Sequence, residues 1–234
     1  MKIAYVNKPT PVPAGRLSLH VSIVSHLNRV LPAAKPACHL RAGDQRSKNT
    51  SMNSSSNPRR VFLVGPMGSG KTTVGRQLAR LLNMKFLDLD LELEKRCGVE
   101  VSVIFEIEGE DGFRQRETAM LDELTRHDNI VLGTGGGSVI REENRRMLSE
   151  RGLVVYLETG IGQQLARLAK DKQRPLLQTP DRRQRLAGLA KQRNPLYDGI
   201  ADITVPSENI SPAAMAKRVA NIILAFAKKE TSQP

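Results

Sequence analysis

The chain has 234 residues, 39% of them hydrophobic and 26% charged, with a net charge of +12 and only three Tyr, five Phe and no Trp. That length allows one good core and excludes two large domains, and the composition is that of a soluble globular protein. Two cysteines, Cys38 and Cys97, and four histidines without ligand spacing exclude a disulfide framework and a cysteine zinc site, and the scarce aromatics argue against a base-stacking surface.

Residues 1–58 read as an extension. They hold eight of the 36 Lys and Arg but one of the 24 acidic residues, Asp44. Pro9, Pro11, Pro13, Pro32 and Pro36 interrupt them, and the Ser/Asn-rich run Ser51–Asn57 reads as a flexible linker. The 12 uncharged residues between Arg16 and Arg29 are too few to span a membrane, although Ile23, Leu27, Val30 and Leu31 have helical spacing. A basic, acid-poor, Ser-containing start has the composition of an organelle transit peptide. The competing reading is an over-extended start with Met52 as the initiator.

From Arg59 onward strands and helices alternate. Val61-Phe62-Leu63-Val64 is an apolar run suited to a buried parallel strand, and Val74, Leu78, Leu81 and Leu82 form a helical stripe after it. Met84 to Asp90 reads as the second strand, followed by a helix from about Leu91 to Arg96 that Gly98 stops. Ser102 to about Glu108 is a short helix, and a second runs from Asp111 or Gly112 to about Arg126. Ile130 to Leu132 is a strand, Glu142 to Glu150 a helix, Leu153 to Leu157 a strand and Gln163 to Lys170 a helix. Residues 171–183 are rich in Lys, Arg and Pro and read as a mobile lid. Arg185 to Tyr197 reads as helical despite Pro195, Asp202 to Val205 as the last strand and Ala213 to Lys228 as the last helix. This alternation predicts right-handed βαβ crossovers and an α/β fold of three layers, a five-stranded parallel sheet with helices on both faces.

Between the first strand and its helix lies Gly65-Pro66-Met67-Gly68-Ser69-Gly70-Lys71-Thr72-Thr73, a complete phosphate-binding loop in strand–turn–helix context. Its glycines let backbone N–H groups close on phosphate oxygens at a helix N-terminus. Lys71 can reach the β- and γ-phosphates, and the Thr72 hydroxyl can ligate Mg²⁺. Asp88 and Asp90, read as two residues apart on one strand, would face the phosphates together. One could hold Mg²⁺ through water, and the other could orient an acceptor hydroxyl and take its proton. Arg114 and Arg193 carry planar forks suited to a carboxylate. Gly135-Gly136-Gly137 allows close backbone approach to a ligand, and Arg174 in the lid could reach a transferring phosphoryl group.

Taken together, Gly65–Thr73, Asp88-Leu89-Asp90, Gly109–Arg114, Gly135–Gly137, Arg174-Pro175-Leu176-Leu177 and Arg193–Tyr197 resemble the shikimate kinases, in particular the bacterial ones, from about Arg59 to about Lys228. The resemblance implies transfer of the ATP γ-phosphoryl group to the 3-hydroxyl of shikimate in aromatic amino acid biosynthesis. It implies that Gly68, Ser69, Gly70, Lys71, Thr72, Thr73 and Arg174 bind ATP, and that one Mg²⁺ sits on Thr72 with Asp88 assisting through water. It implies that Asp90 binds ring hydroxyls and serves as base, that Arg114 and Arg193 clamp the carboxylate, and that the Gly136 backbone contacts a hydroxyl. Lys71, Asp90 and Arg174 would then be catalytic, with the acceptor region at about 88–120. An adenine contact is expected around Asn209 without an assigned residue. A gluconate or nucleoside monophosphate kinase is the nearest alternative, and the two arginines with the Asp-x-Asp pair favour a polyhydroxylated carboxylic acid. The expected partners are small molecules only, with no nucleic acid and no membrane, for a cytoplasmic monomer, or a plastid protein if residues 1–58 are a transit peptide. The bacterial likeness favours Met52 as the start.

Overall fold

Apolar runs without polar alternation are the mark of strands covered on both faces, and here they pair as one parallel sheet. The computed structural model describes residues 58–169 and 181–231. Its strands are β1 (Arg60–Val64), β2 (Lys85–Asp88), β3 (Ile130–Gly133), β4 (Leu153–Glu158) and β5 (Ile203–Pro206), in the order β2-β3-β1-β4-β5. The described helices are α1 (Lys71–Leu81), α2 (Leu89–Cys97), α3 (Val101–Leu124), α4 (Glu142–Arg151), α5 (Ile161–Leu168), α6 (Arg182–Asp198) and α7 (Pro212–Thr231). β1 is central: Val61 is in register with Val131 on one side and Leu153 on the other.

Alternate residues of each strand supply two cores. Phe62, Val64, Leu132, Val154 and Tyr156 pack with Leu93, Phe113, Met120, Leu148 and Tyr197 from α2, α3, α4 and α6. Val61, Leu63, Val131, Val155 and Val205 pack with Val74, Leu78, Met215, Val219 and Ile223 from α1 and α7. The expected three-layer α/β architecture with five parallel strands is therefore what forms. None of the described helices is long and apolar enough to cross a membrane.

The expectation of two helices over 102–126 reappears as a break inside α3. Gly109 has φ 70° and ψ −173°, a conformation that no helix continues through and that an L side chain rarely adopts. Across the break Arg116 donates to Glu108 from both Nε and Nη2, each at 2.6 Å. The fork holds the two halves of α3 at a fixed angle.

Three expectations need correction. The second strand does not run to Asp90. The Asp88 carboxylate accepts from the Leu91 N–H and caps α2, so the chain turns helical at Leu89 and Asp90 stands in the first helical turn. Leu81 does not join the buried stripe of α1: it is 56% exposed, whereas Leu78 is fully buried and Leu82 closes the helix against the core. The segment read as a lid over 171–183 ends earlier, because Asp181 accepts from the Gln184 N–H at 2.8 Å and starts α6 at Arg182. The readings made for residues 1–57 (linker, transit peptide, Met52 start) and for Arg174 and the rest of the lid lie outside the described residues.

The burial contrast within α1 has a measurable consequence. Leu78→Ala should cost about 2–5 kcal/mol in urea unfolding, whereas Leu81→Ala should stay within about 0.5 kcal/mol of the parent. Equal losses would contradict this placement of the helix.

Candidate active site

A short turn must follow β1 before α1 can pack back on the sheet, and three glycines make it possible. Gly65, Gly68 and Gly70 have φ of 141°, 75° and 92°, where side chains other than hydrogen are strained. A Cβ on Gly65 would also lie 2.7 Å from the Leu157 carbonyl oxygen. Lys71 opens α1, and its Nζ donates to the Gly65 and Pro66 carbonyls at 2.7 and 2.8 Å and to Ser69 Oγ at 3.3 Å. These bonds hold the ammonium over the loop, at the start of a helix whose first N–H groups have no partner within the helix itself. The Thr72 hydroxyl donates to Asp88 Oδ2 at 2.7 Å, which ties the loop to the end of β2.

A cavity of about 460 Å³ opens here. Gly68, Ser69, Gly70, Lys71, Thr72 and Thr73 line it, with Asp88, Asp90 and Gly136 on one flank. Its far end is lined by Arg167 of α5 and by Ser207, Glu208 and Ile210 after β5. Arg167 donates to the Gly68 carbonyl at 3.0 Å and to Ser207 Oγ at 2.9 Å, bridging the phosphate loop and the segment after β5. Asn209, near which a base contact was expected, is not among the lining residues, whereas its neighbours are.

A second cavity of about 90 Å³ adjoins the first. It is lined by Asp90, Arg114, Gly136 and Arg193, together with Phe105 and Phe113, and shares Met67, Asp90 and Gly136 with the larger cavity. The shared wall follows from sheet order. β3 lies beside β1, Thr134 donates to the Leu63 carbonyl through both its N–H and its hydroxyl, and the glycine turn runs alongside the phosphate loop. A Cβ on Gly136 would sit 3.2 Å from the Met67 nitrogen.

Both arginines of the small cavity are buried, at 6% and 5% exposure, and their electrostatics differ. Arg114 donates to Glu117 at 2.7 Å and to Glu110 at 3.1 Å. Burial pulls its pKa down, but the two carboxylates more than offset this and hold it above the ordinary arginine value. Arg193 donates from Nη1 to the Gly136 carbonyl at 3.1 Å. Burial, with the Arg114 charge acting in the same direction, lowers its pKa below the ordinary value. The Nε atoms of both guanidiniums are buried and have no hydrogen-bond partner among the described residues. A buried cation with unused donors favours an anionic ligand.

Every site residue expected from the sequence, except Arg174, lies on one of these two cavities. Sequence reasoning missed Glu110 and Glu117, although their helical spacing of four before and three after Arg114 was a usable signal. It also missed Met67 and Arg167, whose positions depend on packing. Glu117 is fully buried, between Arg114 and the Ser138 hydroxyl that donates to it at 2.6 Å.

The shikimate kinase family model matches residues 67–224. The shikimate kinase of Pasteurella multocida is 55% identical over 166 residues, 70% of this chain and 95% of that protein. That of Vibrio cholerae is 53% identical over 165 residues, again 70% and 95%. Among solved structures, the shikimate kinase from Acinetobacter baumannii in complex with shikimate is similar with a TM-score of 0.71 and 47% identity, covering 72% of this chain and 94% of that one. The enzyme from Aquifex aeolicus has a TM-score of 0.63 at 35% identity, covering 73% and 98%.

Removing Glu117 would leave the Arg114 charge underpaired and the Ser138 hydroxyl without its acceptor. Glu117→Ala should lose about 3 kcal/mol of unfolding free energy, the cost of breaking a buried ion pair from one side. A variant as stable as the parent in urea would contradict it.

Proposed function

The chain belongs to the shikimate kinase family, and from that premise we propose how its own residues divide the work. The reaction moves the γ-phosphoryl group of ATP to the 3-hydroxyl of shikimate, giving shikimate 3-phosphate and ADP. The observation that carries the assignment is the common wall of the two cavities: the phosphate loop and the guanidinium forks open onto one cleft, with Asp90 between them.

In this reading the triphosphate lies along Gly68–Thr73, with loop N–H groups and Lys71 on its oxygens and the base toward Arg167 and Ser207. Shikimate fills the smaller cavity. Its carboxylate pairs with Arg114 and Arg193, and the Nε donors now without partners are among those available to it. The Gly136 backbone meets a ring hydroxyl. Asp90, on the wall common to both cavities, orients the 3-hydroxyl toward the γ-phosphorus and accepts its proton. The transition state of such transfers is loose and in line, so positioning and charge neutralisation supply most of the rate. Arg174 would add positive charge at the transferring group.

Thr72 and Asp88 suit Mg²⁺. Both are hard oxygen donors on the cavity wall, 2.7 Å apart, and Mg²⁺ takes few protein ligands beside water and phosphate oxygens. Thr72 would hold it directly and Asp88 through water. When bound, the ion would neutralise charge on the β- and γ-phosphates. The relatives named above are bacterial, which suits the cytoplasm.

The direct test is ADP release with ATP, Mg²⁺ and a panel of acceptors. Turnover with shikimate and none with gluconate or nucleoside monophosphates supports the reading, and the reverse preference ends it. Arg114→Ala should raise the KM for shikimate by at least about a hundredfold, as expected for losing a charge-assisted bidentate pair, with the KM for ATP changed little. Equal rises would contradict the clamp. Asp90→Asn should lower kcat by about 10²–10⁴-fold, the usual worth of a general base, while calorimetry still detects ATP binding. Near-normal kcat would remove Asp90 from the proton transfer.

A further inference from the structure

Arg193 is not the only residue of α6 that reaches the glycine turn. Tyr197, one helical turn further on and fully buried, donates its hydroxyl to the same Gly136 carbonyl that Arg193 holds. A carbonyl oxygen has two lone pairs, and these two donors use both. The ring of Tyr197 is fixed in turn by stacking on Tyr156 of β4, with centroids 5.1 Å apart and planes at 27°. Tyr156 is itself 1% exposed. A chain of contacts therefore runs from the sheet through two rings to Gly136, on the wall between the cavities.

We propose that Tyr197 is a positioning residue for the acceptor: it anchors Gly136 so that Arg193 is free to turn its donors to the substrate carboxylate. The inference rests on the reading of Arg193 as part of the carboxylate clamp. Without Tyr197, the Arg193 guanidinium would have two tasks, holding the turn and holding the acceptor. With Tyr197 in place, the turn keeps its position when Arg193 engages its ligand. Gly136 and Met67 of the phosphate loop share the wall between the cavities, where a Cβ on Gly136 would sit 3.2 Å from the Met67 nitrogen, so the placement of this turn bears on the distance between acceptor and phosphoryl donor, to which in-line transfer is sensitive. Burial, the leading cause, raises the Tyr197 pKa well above the usual tyrosine range, so the hydroxyl remains a donor at any working pH.

The test compares Tyr197→Phe, Tyr156→Phe and Arg114→Ala with the parent, measuring kcat and both KM values. Tyr197→Phe keeps the ring and its stacking and loses only the anchor. It should raise the KM for shikimate about tenfold, the effect of losing one buried hydrogen bond, lower kcat and leave the KM for ATP within about twofold. Tyr156→Phe, which keeps the stack and the anchor, should match the parent. Unchanged kcat and shikimate KM in Tyr197→Phe, while Arg114→Ala raises the shikimate KM, would overturn the inference alone. So would equal rises in both KM values, which mark general loosening of the fold. An unchanged shikimate KM in Arg114→Ala would overturn the clamp and this inference with it.

Discussion

The parallel pairing of β1 with β3 is the constraint on which the site depends. It brings the loop after Val64 and the turn after Gly133 side by side at the carboxyl ends of neighbouring strands, where open α/β sheets bind ligands. The approach is close: a Cβ on Gly136 would sit 3.2 Å from the Met67 nitrogen, and one on Gly137 would meet Arg114 Nη2 at 2.2 Å, so a side chain at either position would make a neighbour shift. Glycine at these positions relieves crowding set by another element. It lets the phosphate loop and the small cavity that holds the two arginines share one wall.

Charge is arranged on that wall with economy. Arg114 sits between Glu110 and Glu117 and its cost of burial is met within the protein. Arg193 has a carbonyl for a partner, and burial together with the charge of Arg114 disfavours its ionised form. The difference gives the two guanidiniums separate parts. In the clamp proposed above, Arg114 is held in place by its own carboxylates, while an anionic ligand would favour the charged form of Arg193 that burial opposes. On that reading selectivity for a carboxylic acid follows, because an acceptor without that group would leave buried donors unpaired.

Much of this was legible in the sequence. Strand and helix alternation, the break near Gly109, the phosphate loop and the Asp88 and Asp90 pair were read from local pattern, whereas the parts of Arg114, Gly136 and Arg193 came with the family resemblance. Patterns of this kind are short-range properties of the chain, and the periodicity of buried faces fixes them. The misreadings arose where two local signals compete. Asp88 ends an apolar strand and is also a good helix cap, and capping won. Leu81 fits a helical stripe by spacing, but the stripe turns toward Leu78 and Leu82.

The sequence by itself determined the fold class, the phosphate loop and the residue types that carry the chemistry, because each is encoded within a few turns of chain. Only the tertiary structure decided that Glu117 balances Arg114 against Ser138, 21 residues from that glutamate. It alone placed Arg167 as a bridge from the phosphate loop to the segment after β5, and brought Tyr197 to Gly136 across 61 residues. Those contacts depend on which strands are neighbours and how α5 and α6 pack over them, and no local periodicity specifies either.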